Sequence, residues 1–127
     1  MVRKMFNKIK LLLLKRQAKK EGYPLIYIPN RVIEKYRNDV RGNSNDSDLT
    51  CILKLSRNFY SGEIISENGR YIIIAYGCLH IHYDRINQCI YKVINFNYKT
   101  YGCEITGIID YELKDKLNKL YKIEEEK

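Results

Sequence analysis

Cys78, His80 and His82 stand at i, i+2 and i+4 of a segment, 78–84, that reads as a β-strand. Alternate residues of a strand face the same way, so the three side chains share one face of the sheet. A thiolate and two imidazoles are good zinc ligands, and Cys89 or an acid from a neighbouring strand could complete a tetrahedral set. The spacing is not that of a zinc finger, whose paired ligands come from tight turns, so a sheet face with two half-exposed histidines is the favoured reading. No cofactor is therefore expected, with a divalent metal ion on Cys78, His80 and His82 as the alternative. A second chemistry is carried by cations. Arg3, Lys4, Lys8, Lys10, Lys15, Arg16, Lys19 and Lys20 precede the first acid, Glu21, and Arg31, Lys35, Arg37 and Arg41 follow. Lysine and arginine neutralise phosphates and release their counterions, which gives affinity without sequence readout.

The triplet His80-Ile81-His82 resembles the histidine–hydrophobic–histidine motif of rolling-circle replication initiators, relaxases and related single-strand nucleases. Tyr111-Glu112-Leu113-Lys114 is similar to the Tyr-x-x-Lys pattern of the initiators. The resemblance implies a metal-dependent nicking enzyme in which the two histidines hold a divalent cation. Tyr111 would be the nucleophile on a DNA phosphate and Lys114 its helper, since a polarising metal lets a phenolate attack. A separate pattern, a strand ending at Ile28-Pro29, a helix through Val32, Ile33 and Tyr36, and a strand over 49–55, resembles the swapped-hairpin DNA-binding domain of AbrB-type transition regulators.

Charge distribution bears on partners more directly. The chain has 127 residues and a formal net charge of +8. Residues 1–41 hold twelve Lys and Arg against three acids, whereas 42–127 hold eleven against twelve. A basic end on a neutral body points to an anionic partner. Apolar residues at 45% and charged residues at 30% belong to a folding chain, and this length suits one core. No apolar run approaches the roughly 20 residues of a membrane span, and the run from Ile9 to Leu14, broken by Lys10, is shorter than a signal core. The expected location is the cytoplasm, with Cys51, Cys78, Cys89 and Cys103 reduced.

The elements that must position these groups follow from periodicity. Val2, Met5, Phe6, Ile9, Leu12 and Leu13 recur at three- and four-residue steps, predicting a basic amphipathic helix to about Lys20, stopped by Gly22 and Pro24. Leu11 and Leu14 widen its apolar face, so part of it packs on the body or on a second copy. Residues 25–28 read as a short strand, and Asn30 as the cap of a helix of about ten residues. The polar stretch 42–48 reads as a loop. Strands are expected over 49–55, 59–65, 71–76, 78–84, 89–98 and 104–109, with Asn68-Gly69 as a type I′ hairpin turn. Leu113, Leu117 and Leu120 predict a closing helix over 111–121, capped by Asp110.

The fold class expected is α+β: a basic N-terminal helix, a short strand and helix, then an antiparallel sheet of about five strands closed by a C-terminal helix. One domain spans 1–127, with a basic helical arm at 1–41 and the sheet with its helix at 49–122. The expected function is that of a small accessory protein of phage, virus or mobile-element type, binding nucleic-acid phosphates without catalysis. The twelve basic residues of 1–41 are the expected contacts. The nicking enzyme is one alternative. A protein-interaction module or inhibitor, docking a protein partner or a second copy through the first helix, is another. A membrane surface is a further possible partner for that helix. Tyrosines of the sheet, among them Tyr71, Tyr76, Tyr83 and Tyr91, could also stack on unpaired bases.

Overall fold

The computed structural model describes residues 2–40, 43–96 and 106–123, with side chains from Lys8 onward. The described residues form α1 (Val2–Lys20), α2 (Asn30–Asp39), α3 (Asp48–Ser61), β1 (Glu63–Asn68), β2 (Tyr71–Tyr76), β3 (Leu79–Asp84), β4 (Cys89–Asn95) and α4 (Tyr111–Leu120). The strands make one antiparallel meander in the order β1-β2-β3-β4. This is the expected α+β architecture with four strands rather than five.

The difference lies mainly at 49–55, which belongs to α3. Alternation of Leu49, Cys51, Leu53 and Leu55 suits a strand, yet the same stretch also serves a helix with apolar residues on two faces. Cys51 and Leu55, four apart, meet the sheet, while Leu53 meets α1 and α4. The helix start is specified locally: Ser47 Oγ accepts from the Thr50 amide at 3.2 Å, and Asp48 sits in the first turn. The helix also absorbs residues 59–61, so the next strand begins at Glu63. It removes the second strand that the AbrB-type pattern requires. Of the strand expected at 104–109, residues up to 105 lie outside the described ones, and Gly107 makes a single bridge to Gly77. A side chain could not replace Gly107, since a Cβ there would lie 1.9 Å from the Ala75 carbonyl oxygen.

Residues 25–28 alternate as predicted, with Ile26 and Ile28 buried, but they form only one parallel bridge, Tyr27 to Cys89. In α2 the cap position is Pro29, and Asn30 is the first helical residue, with no side-chain cap. The first hairpin turns through Gly69-Arg70, flanked by the pair Asn68 and Tyr71. Only Gly69 has positive φ there, so the turn is not type I′, which needs it at both central positions. Asp110 caps α4 as expected, its Oδ1 accepting from the Leu113 amide at 3.0 Å.

One face of the sheet carries Ile72, Ile74, Leu79, Ile81, Ile90 and Val93 against Val32, Ile33 and Tyr36 of α2 and Cys51 and Leu55 of α3. Full burial of each such aliphatic side chain contributes about 1.5–3 kcal/mol. A second cluster, Ala18, Leu53, Leu117 and Tyr121, joins α1, α3 and α4. The helices are thus layered on one side of the sheet. The outermost, α1, is held through α3 and α4 rather than by a strand.

Candidate nucleic-acid interface

In α1, good helix formers fill 8–20, and the C-terminus closes as its sequence predicts. Gly22 has φ of +89°, and the Tyr23 amide donates to the Ala18 carbonyl at 2.9 Å. Part of the apolar surface of α1 packs on the body and part does not. Leu14 and Ala18, one turn apart, pack on Leu117, Tyr121 and Leu53, and half-buried Leu11 stands on the same side of the helix. Ile9, Leu12 and Leu13, which the spacing places on the apolar face of the helix, are 55%, 56% and 58% exposed. The Leu11–Leu14 run is therefore split, its ends turned inward and its middle outward. A groove of about 470 Å³ between Leu11 and Lys15, residues 26 and 28, and Leu49 and Ile52 separates this half of α1 from the body.

The cations of α1 lie at the surface. Lys8, Lys10, Lys15, Arg16, Lys19 and Lys20 are all exposed, and among the described residues none of them is in an ion pair. At 3.6 residues per turn, Lys8, Lys15 and Lys19 share one flank, Arg16 and Lys20 stack below the exposed leucines, and Lys10 lies on the other flank. Arg3 and Lys4 are in the helix, but their side chains lie outside the description, as does the whole of Arg41.

The basic residues of α2 are committed within the molecule. Lys35 Nζ is 3.0 Å from Asp39 Oδ2 one turn on. Arg37 pairs with Asp48 at the start of α3 and donates from Nε to the Asp46 carbonyl at 2.9 Å. Arg31 donates to the Tyr91 carbonyl at 3.3 Å, tying α2 to β4. Arg31 and Arg37 tie α2 to its neighbours and Lys35 pairs within the helix, so the cationic surface left without such partners is narrower than the twelve residues suggest. Asp39 stands four residues after Lys35 and is readable in the sequence as its helix partner; Asp48 is not readable as that of Arg37.

On the outward face of the sheet His80 and His82 alternate with buried Leu79 and Ile81. Their rings pack on aromatics: His80 on Phe96 with centroids 4.6 Å apart, His82 on Tyr91 at 5.9 Å. Desolvation, with smaller contributions from Lys92 and His80, holds the His82 pKa below its ordinary value. Cys78 belongs to the turn before β3 rather than to the strand, and its Sγ lies 3.8 Å from Thr106 Oγ1. Among the described residues no three His, Cys, Asp or Glu side chains converge as a metal site would need. Tyr111 is 64% exposed at the start of α4, with Lys114 Nζ 5.7 Å from its ring centroid and 5.6 Å from that of Tyr76. That helix packs on α3, behind the face opposite the histidines, so the constellation implied by the nicking-enzyme motifs is not assembled.

The tyrosines divide as well. Tyr83 faces inward against Phe59 at 4.6 Å, whereas Tyr71 and Tyr91 meet edge to face at 5.6 Å on the outer face. Arg70 covers Tyr71 and forks onto Asp84 at 3.0 and 2.9 Å. That guanidinium, with the amides of Ile86 and Asn87, holds the Asp84 carboxyl down at about 2. Asp84 was not singled out in the sequence; its role is to close the turn between β3 and β4.

No protein-family model, curated protein or solved structure matches the chain.

Proposed function

We propose that this chain is a non-catalytic nucleic-acid-associated protein that binds phosphate backbone through α1. The observation that carries this is the set of six exposed, unpaired cations on one helix that bears no acid, whereas the cations of α2 are engaged within the molecule. An unpaired ammonium already in water loses little on meeting a phosphate, while Lys35 and Arg37 would have to leave a carboxylate first. Affinity is therefore sequence-independent and falls with salt.

The test is binding to labelled duplex, single-stranded and RNA oligonucleotides. Combined Lys8→Gln, Lys15→Gln and Lys19→Gln should weaken binding at least about tenfold near 0.1 M salt, and Lys35→Gln less than about twofold. Equal losses from both would remove α1 from its assigned role.

A further inference from the structure

α1 carries something phosphate binding does not use. Ile9, Leu12 and Leu13 form an aliphatic ridge, each more than half exposed, and the same spacing runs back in the sequence through Met5, Phe6 and Val2. At 3.6 residues per turn this ridge lies opposite Leu14 and Ala18, which dock α1 on the body. It therefore points away from the molecule, with Lys8, Lys15 and Lys19 along one side, Lys10 along the other and Arg16 and Lys20 continuing it.

Whatever covers this ridge must be both apolar and anionic. A second copy is apolar but wrongly charged: pairing two α1 ridges would press two sets of six unpaired cations together with no acid on either helix to separate them. A duplex has the charge but offers little aliphatic surface to three branched side chains at once. A bilayer containing acidic lipid supplies both, with the acyl boundary taking the ridge and headgroup phosphates meeting the flanking lysines. We infer that α1 docks in the plane of an anionic membrane surface through Ile9, Leu12 and Leu13, with the body held on its opposite side.

This goes beyond the nucleic-acid proposal, because it rests on the ridge and not on the cations alone. Membrane and nucleic acid share the lysines, so each should displace the other. The direct test is co-sedimentation of the whole chain with vesicles of phosphatidylcholine alone and of phosphatidylcholine with phosphatidylglycerol. Binding is expected to the acidic vesicles only. Combined Ile9→Gln, Leu12→Gln and Leu13→Gln should reduce it at least about tenfold while oligonucleotide affinity changes less than about twofold. Glutamine is a good helix former and the ridge is exposed, so circular dichroism should be unchanged.

Equal binding of parent and variant to acidic vesicles would overturn the docking, as would failure of the parent to bind them. A parent that sediments as a dimer, with the variant a monomer, would give the ridge to a second copy instead. Loss of oligonucleotide binding in the lysine variants alone bears on the nucleic-acid proposal. Loss of vesicle binding in the ridge variant alone bears on this one.

Discussion

α1 and α3 are both helices rich in aliphatic residues at helical spacing, yet they meet opposite surroundings. In α3 both apolar faces are covered beyond Leu49 in the first turn, and even the polar Ser56, Arg57, Asn58 and Ser61 are buried. Those groups have partners: Ser56 Oγ accepts from the Ile26 amide at 3.1 Å, Arg57 donates to Asn58 and Asn118, and Ser61 donates to the Arg57 carbonyl at 2.7 Å. In α1 one apolar line is covered and the other is open, and the cations around it are solvated. Helical periodicity thus reports that an apolar face exists, not what it meets. What distinguishes the two helices is the charge of their polar residues and how far those residues can be satisfied inside the protein.

The contrast makes the same chemical change unequal in the two places. Leu55→Ala, at a fully buried site of α3, should cost about 2–5 kcal/mol in urea unfolding, while Leu13→Ala should stay within about 0.5 kcal/mol. A comparable loss at Leu13 would mean that the ridge is already occupied within the molecule.

Ala18 marks the seam between the two regimes, fully buried beside Leu117 and Tyr121. Ala18→Leu should overpack that seam and cost about 1–3 kcal/mol, read from the thermal midpoint. A smaller effect belongs to the start of α3, where Ser47→Ala should cost about 1 kcal/mol.

Acid should weaken the body in two windows, detectable as a falling urea midpoint. Because burial lowers the His82 pKa in the fold, the unfolded chain takes up its proton first, and stability declines as pH drops through about 6.5 toward the folded value. The Asp84 carboxylate contributes stability above its ordinary 3.8, which is lost as pH falls from there toward about 2. His82→Gln should remove the first window and Asp84→Asn the second. α1 has no part in either.

Much of this arrangement was legible in the residues. The bounds of α1, the Gly22 stop, the Asp110 cap and strands β2 and β3 follow from spacing and cap chemistry. α3 did not, because alternating Leu49, Cys51, Leu53 and Leu55 fit either period, and the deciding signal was the small cap Ser47-Asp48 within a stretch read as loop. Strand periodicity put His80 and His82 on one face correctly, but Cys78 fell in the turn because Gly77, with positive φ, bends the chain before β3. The candidate cations were legible by type and not by engagement: Arg37 looks as free as Lys15 until the start of α3 brings Asp48 beside it.

The central claim is that the unpaired lysines of α1 meet phosphates directly, and the salt dependence of duplex binding tests it most closely. The slope of log K against log salt should become shallower by about 2.7 when Lys8, Lys15 and Lys19 are replaced by glutamine, three contacts at about 0.9 each. An unchanged slope, with affinity intact, would contradict the account.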